Sequence, residues 1–303
     1  MTKVFIDGSA GTTGLNIHAR LARRRELTLI QLPEELRKDL SARRDALNEA
    51  DIAFLCLPDD AAREAAVMIQ NDHTAVIDTS TAHRVSPDWV YGFPELKGQR
   101  EKIRKAKRVA NPGCHASGFI ALIAPLVESG LIEKSALLSC FSLTGYSGGG
   151  KKMIAEYEGP GRSALLDAPR QYGLSQAHKH LPEMRAYSHL DAAPVFCPIV
   201  APYYAGMEVT VPLFGVKPES LREAYRCYDQ GGALRFAKSA DEGGFLSASA
   251  FAGRDDMQLT VTGNEERALV IARFDNLGKG ACGAAIQNMN LLLGLDELTG
   301  LVV

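Results

Sequence analysis

One stretch of the chain sets a thiol where it would be reactive: Asn111-Pro112-Gly113-Cys114-His115-Ala116-Ser117-Gly118. Pro112 and Gly113 end a short apolar strand around Val109 and Ala110. The run Phe119 to Ala124 reads as the body of a buried helix that Pro125 bends or interrupts. Cys114 then falls at the helix start, where unpaired backbone N–H groups and the positive end of the helix dipole converge. That setting lowers a thiol pKa and favours the nucleophilic thiolate. A second cluster, His178-Lys179-His180-Leu181-Pro182-Glu183, supplies two imidazoles and a carboxylate. In an extended segment His178 and His180 project to one side, and Glu183 is near enough to orient an imidazole. Two histidines without further ligands at suitable spacing make a poor zinc signature, so no metal is expected. A Cys–His nucleophile pair is the stronger use of the cluster; a solvated polar turn is the plain alternative.

Redox work by such a thiol needs a cofactor, and the first elements of the chain offer a place for one. Val4-Phe5-Ile6 is a short apolar strand, followed at once by Gly8-Ser9-Ala10-Gly11-Thr12-Thr13-Gly14. Leu15, Ala19 and Ala22 then recur at helical spacing up to the cations Arg23, Arg24 and Arg25. Strand, glycine loop and helix form the context in which a G-x-x-G-x-x-G run binds a dinucleotide, with the pyrophosphate at the helix N-terminus. A plain turn with surplus glycines is the alternative. A second strand, Leu27 to Leu32, ends in the uncharged Gln31-Leu32-Pro33, where NAD enzymes usually carry an acid for the ribose. Arg37 and Lys38 just beyond favour a 2′-phosphate, hence NADP, although Glu34 and Glu35 intervene.

Further along, Ile52 to Pro58 and Ala75 to Asp78 are apolar strands of the kind parallel sheets require. Asp59 or Asp60 can cap a helix over Ala61 to Gln70. Thr79, Ser80 and Thr81 stand at a strand's C-terminal end, either as ligand contacts or as turn hydrogen bonds. After Gly130 the pattern changes. Ala136 to Ser142 reads as a strand, and the run Thr144 to Lys152 as either a phosphate cradle or a flexible loop. Met207, Val209, Val211 and Leu213 alternate with Glu208 and Thr210; Met257, Leu259 and Val261 repeat the scheme. With Pro218 opening a helix through Tyr228, the second half reads as an α+β domain with a one-sided, largely antiparallel sheet. The last helix, Ala281 to Leu292, is apolar on most sides and should be buried against the first domain.

Composition narrows the function classes. The chain has 303 residues, 46% hydrophobic and 23% charged, with a formal net charge of -2. That size suits two domains, and the charge balance gives no support to a nucleic-acid or acidic-membrane partner. The basic run Lys97 to Arg108 reads first as a solvated helix face. Cys56, Cys114, Cys140, Cys197, Cys227 and Cys282 are scattered with no C-x-x-C pair, which suits a reducing cytoplasm. Met1-Thr2-Lys3 runs straight into a strand, so no targeting peptide is expected. No apolar run approaches the ~18 residues of a spanning helix.

Taken together, several segments resemble the N-acetyl-γ-glutamyl-phosphate reductases, in their shorter form and essentially end to end. They are Gly8 to Gly14, Asp78 to Arg84, Tyr91 to Leu96, Asn111 to Gly118, Ser147 to Gly150 and His178 to Glu183. The tail segments Asn276-Leu277-Gly278-Lys279-Gly280-Ala281 and Ile286 to Asn290 fit as well. The resemblance implies an α/β fold: a Rossmann-like NADP-binding domain plus an α+β catalytic and dimerisation domain with a largely antiparallel sheet, as in semialdehyde dehydrogenases. Residues 1–113, joined by the C-terminal helix of about 281–303, would form the first domain and residues 114–280 the second. The family's nucleophile falls on Cys114. Its histidine motif, usually H-R-H, falls on His178 to His180, with Glu183 beside them. The implied cofactor is NADP(H), held by Gly8, Ser9, Ala10, Gly11, Thr12, Thr13, Gly14, Arg37 and Ser80, and by Asn276, Gly278 and Lys279. Asn111, Ser147, Gly148, Gly149 and Lys151 would bind the acyl phosphate. The expected product is a semialdehyde of arginine biosynthesis, formed through a cysteine thioester by a cytoplasmic homodimer or homotetramer. Aspartate-semialdehyde dehydrogenases share the fold and cysteine, but the histidine region argues against them. An NADP-binding regulator without turnover is the alternative outside the enzymes.

Overall fold

Short apolar strands alternating with helices form the first of two units in the computed structural model, which describes residues 1–229 and 231–303. This unit comprises Met1–Pro112 and Ala284–Leu301. Its strands are β1 (Thr2–Asp7), β2 (Leu27–Ile30), β3 (Ile52–Leu55), β4 (Ala75–Asp78), β5 (Val90–Tyr91) and β6 (Arg108–Ala110). The helices between them are α1 (Thr12–Leu21), α2 (Leu40–Glu49), α3 (Asp59–Met68) and α4 (Gln99–Arg104). The sheet order is β2-β1-β3-β4-β6-β5, every pair parallel. β3 and β4 are buried at every position, which is why they read as unbroken apolar runs. The strand order reverses between β1 and β3, the crevice where open α/β sheets bind ligands.

Two polar features brace this unit. At the end of β1, Asp7 meets Arg43 of α2, with Nη2 to Oδ2 at 2.9 Å and both side chains buried. The C-terminal helix α9 (Gly283–Leu292) is held by amides: Asn288 donates to Gly92 O and Asn111 Oδ1, and Gln287 to Glu95. A side chain at Gly92 would meet Asn288 Nδ2 at 2.4 Å, so glycine lets α9 approach the strand end.

The second unit comprises Gly113–Gly283 with Val302–Val303. It opens with α5 (Cys114–Glu128), then β7 (Ser139–Gly145), α6 (Gly150–Glu158), β8 (Arg170–Gln171) and α7 (Leu181–Tyr187). There follow β9 (Val195–Ala201), β10 (Met207–Phe214), α8 (Pro218–Tyr228), β11 (Leu234–Phe236), β12 (Met257–Gly263) and β13 (Arg267–Phe274). The sheet order is β11-β12-β13-β10-β7-β9-β8. It is mixed: the central pairings are antiparallel, while β11–β12 and β7–β9 are parallel. The alternation read from Met207 to Leu213 is the burial alternation of β10. α5 lies on this sheet with His115 to Val127 all buried, and Gly118 leaves no room above Val209 and Phe274.

Several local expectations need correction. Pro125 does not interrupt α5, which continues to Glu128; the ring forfeits one backbone bond, and packing on every side outweighs that loss. Neither Asp59 nor Asp60 caps α3: Pro58 holds the cap position, and Asp59 accepts from the backbone N–H and hydroxyl of Thr81. β2 stops at Ile30, and β7 starts three residues later than read because its pairing with β9 begins at Ser139. Only part of the basic run is helical, since Arg108 already belongs to β6. α9 begins at Gly283 because 278–282 winds as a π-helical turn.

Candidate active site

Cys114 is the first residue of α5. Gly113 before it is extended (φ -79°, ψ 145°) and supplies no side-chain cap, so the thiol stands at the positive end of the helix dipole. The Gly113 N–H donates to Glu183 Oε2 at 3.1 Å, and Glu183 is buried at the start of α7. On another side Gly280, in the π-helical turn, presses close: a Cβ there would lie 2.9 Å from Cys114 Cβ. Glycine at 280 thus preserves the space the thiol occupies.

Three imidazoles gather beside this helix start. His178 and His180 are not in an extended segment. The chain turns here, His180 adopting φ -88° and ψ -12° to enter α7. Their rings nevertheless stand perpendicular, 4.7 Å apart between centroids, because the turn closes on itself. The His180 backbone N–H donates to His178 Nδ1 at 3.2 Å, which leaves the neutral His178 ring its proton on Nε2. The third ring is His115, which sequence reasoning did not single out. It lies 5.7 Å from His178 and 5.5 Å from His180, with Phe196 and Tyr172 closing the cluster. Burial, and then the charge on His178, push its pKa down to about 3. His115 therefore stays neutral while its neighbours remain the candidates for proton transfer. Its place next to Cys114 in the chain was the available signal. Among the described residues no group of three or more His, Cys, Asp or Glu is arranged to hold a metal ion.

The glycine run after β7 is not a loose loop. Tyr146–Gly149 forms a 3₁₀ turn that leads into α6. Ser147 is buried, and its hydroxyl accepts from Asn276 Nδ2 at 2.9 Å, while Asn276 Oδ1 takes the Gly206 N–H at 2.9 Å. Gly148, Gly149 and Lys151 face solvent. Asn276, Gly278 and Lys279 thus lie in the second unit, where Asn276 braces Ser147 and Lys279 is wholly buried.

In the first unit the glycine loop fits a dinucleotide. Gly8 has φ +85°, and a Cβ on it would meet Cys56 O at 2.3 Å; one on Gly14 would meet Gly8 O at 2.4 Å. Gly8 closes the turn and Gly14 lets α1 dock, the two tasks glycine serves in such loops. Gly11 is the N-cap of α1 without a side-chain cap, and Thr12 Oγ1 is buried with no protein partner. An orphaned hydroxyl at a helix N-terminus is the kind of donor a pyrophosphate satisfies. Arg37 is exposed and pairs with Glu34 at 2.7 Å. Ser80 is committed within its turn: its N–H and hydroxyl both go to Asp78, at 2.9 and 2.8 Å. Asn111 receives Asn288 on its amide oxygen and donates its N–H to Asp78 O.

Comparison with known proteins places this geometry. Residues 3–106 match the semialdehyde dehydrogenase NAD-binding domain, and residues 114–276 the semialdehyde dehydrogenase dimerisation domain. The N-acetyl-gamma-glutamyl-phosphate reductase of Sinorhizobium medicae (strain WSM419) is 47% identical over 305 residues, covering 96% of this chain and 98% of its own. That of Brucella ovis (strain ATCC 25840 / 63/290 / NCTC 10512) is 47% identical over 307 residues, covering 96% and 99%. The chain belongs to the N-acetyl-γ-glutamyl-phosphate reductase family. Among solved structures, the reductase-family fold is shared with aspartate semialdehyde dehydrogenase II of Vibrio cholerae complexed with ASA, at TM-score 0.72 and 18% identity over 97% of this chain and 98% of that one. The Candida albicans aspartate semialdehyde dehydrogenase with NADP gives 0.67 and 14%, over 97% and 99%. No described helix of this family member is long and apolar enough to cross a membrane.

Proposed function

We propose that the chain reduces N-acetyl-γ-glutamyl phosphate with NADPH, giving N-acetylglutamate 5-semialdehyde and phosphate, through a thioester on Cys114. The observation that carries this reading is Cys114 at the start of α5, where its neighbour His115 packs against His178 and His180, in a chain 47% identical to reductases of that name. One imidazole of the pair takes the thiol proton and leaves a thiolate. The Cys114 sulfur attacks the acyl carbon, the first-turn N–H groups of α5 steady the tetrahedral oxyanion, and the C–O bond to phosphate breaks. NADPH, when bound, supplies the hydride that brings the thioester to the aldehyde level. As the C–S bond then breaks, the thiolate leaves and the same imidazole settles the proton balance. Covalent capture holds the acyl carbon in place and turns a two-substrate encounter into an internal step.

The loop Gly8 to Gly14, with Thr12 at the helix start, would hold the cofactor's pyrophosphate and Arg37 its 2′-phosphate; Ser80, Asn276, Gly278 and Lys279 are further proposed contacts. Ser147, Gly148, Gly149, Lys151 and Asn111 are the proposed acyl-phosphate residues. The dimerisation domain supports a homo-oligomer, a dimer or tetramer, acting in the cytoplasm on the arginine pathway.

The test runs the reaction backwards. Purified protein given NADP⁺, phosphate and N-acetylglutamate semialdehyde should form NADPH, and far less with aspartate semialdehyde. Equal or better turnover of aspartate semialdehyde would move the chain to the other branch of the fold. No turnover of either, with cofactor bound, would favour a regulator.

A further inference from the structure

One guanidinium balances one carboxylate, yet the buried carboxylate just ahead of β12 holds two. Asp256 takes Arg254 as a fork, from Nε at 2.7 Å and Nη2 at 2.9 Å, and a further bond from Arg235 Nη2. The fork alone occupies both carboxylate oxygens and offsets the charge, so the second arginine leaves one positive charge over. Both arginines line a cavity of about 420 Å³ together with Phe236, Ala250, Phe251 and Gln258, a size within the small-molecule range. The cavity lies on the face of the second unit's sheet turned away from α5. Met257 pairs with Phe274, which packs on α5 at Gly118. The next residue, Gln258, and its register partners Arg235 and Arg273 therefore point the other way.

The lining is held in place before any ligand arrives. The Phe251 ring centre lies 5.5 Å from the guanidinium carbon of Arg254 and 5.7 Å from that of Arg273, and Phe236 stacks on Tyr225 with centres 6.0 Å apart. Arg273 adds no net charge, because it pairs with Glu242 at 2.6 Å. Gln258 gives its amide oxygen to Arg273 Nη2 at 2.8 Å. Among the described residues the Gln258 Nε2, Arg235 Nε and Nη1, and Arg254 Nη1 donate to no protein acceptor. We infer that this cavity is a binding site for an organic acid, its carboxylate on Arg235, Arg254 and the Gln258 amide and its apolar body against Phe236 and Phe251. One surplus charge matches one carboxylate, whereas a phosphate dianion would exceed it and leave both rings uncovered. Guanidiniums already fixed on Asp256 lose little further freedom when a ligand binds, which favours affinity. The site stands apart from the thiol and does not depend on the reductase reading.

The experiment titrates phenylacetate, acetate and inorganic phosphate into the full-length protein by isothermal calorimetry. Phenylacetate should bind once per chain with a Kd of about 1 mM or below, and acetate, which lacks the apolar body, at least about tenfold more weakly. Arg235→Met keeps the Arg254 fork on Asp256 and should weaken phenylacetate by about tenfold, the loss of hydrogen bonds to a charged group. Ala250→Trp, at an exposed position on the cavity wall, should fill the space and abolish binding. Should Arg235→Met also lower the thermal midpoint, Ala250→Trp decides the matter. No phenylacetate binding up to about 10 mM, or binding that both variants leave intact, would overturn the proposal. So would phosphate binding that exceeds that of phenylacetate and is lost in Arg235→Met.

Discussion

The His180 backbone N–H donates to His178 Nδ1 at 3.2 Å, so the neutral His178 ring presents its proton on Nε2. The hydrogen bond comes from the turn that starts α7, which makes the tautomer a property of the fold rather than of bound substrate. A ring held this way can take a second proton only by giving up that backbone donor, whereas His180, buried in the same cluster, is not constrained by this bond.

That asymmetry separates the two histidines in kinetics. Replacing the one that serves as acid and base should lower kcat/KM by roughly 10²–10⁴-fold and remove one limb of the pH profile. His178→Ala and His180→Ala, each followed across pH, should give one such variant and one that acts mainly through KM. Two variants with the unaltered profile would remove the cluster from the mechanism.

Cys114→Ser should cut turnover by more than about 10³-fold, because a hydroxyl does not ionise where a thiol does. NADPH binding, followed by fluorescence titration, should stay as it was. Retention of a sizeable fraction of the rate would contradict covalent capture.

The cofactor loop gives a separate test. Thr12→Val keeps the shape of α1 but removes the orphaned hydroxyl, and should raise KM for NADPH with kcat little changed. Arg37→Glu should lower kcat/KM for NADPH by about fivefold or more while sparing NADH, since a charge-assisted contact to the 2′-phosphate is lost. Steady-state comparison of both cofactors in both variants decides this, and an equal preference in the unmodified protein would remove Arg37 from the account.

Stability should depend on pH through His115. Its folded pKa of about 3 lies well below the ~6.5 of the unfolded chain, so the unfolded state binds the extra proton first. Stability is therefore whole above about pH 6.5 and falls as the pH drops toward 3, by about 2 kcal/mol at pH 5 from this group. Denaturant unfolding at pH 7 and pH 5 should show the loss, and His115→Gln should show much less of it.

The Asp7–Arg43 pair should be costly to break from one side. Arg43→Met leaves a buried carboxylate without its partner and should destabilise the first unit by about 3 kcal/mol, whereas replacing both residues with apolar ones should recover most of that. A double-mutant cycle by urea unfolding measures it.

What the sequence disclosed follows from how local each feature is. Pro112-Gly113 before an apolar run is a short-range signal, and it located the thiol at a helix start. Gly8 and Gly14 stood out for the same reason, as did the period-two pattern of β10. The hydrogen bonds of His115 did not stand out, because they join α5 to Ser142 and Tyr172, 27 and 57 residues further on. Asn276 was equally opaque: its amide bridges Ser147 and Gly206, across 129 and 70 residues. Ser80 had two open readings, and only the position of the Asp78 carboxylate shows that its hydroxyl is engaged inside the turn. The turn that brings His178 and His180 together defeats a reading from extended-chain geometry, although both arrive on the same side.

The most direct test of the central claim is the intact mass of the protein after mixing with N-acetyl-γ-glutamyl phosphate in the absence of NADPH. The account predicts one N-acetylglutamyl group per chain, mapped to the Cys114 peptide, with one phosphate released and the adduct lost when NADPH is added. Phosphate release without any adduct on Cys114, or an adduct that NADPH does not discharge, would contradict it.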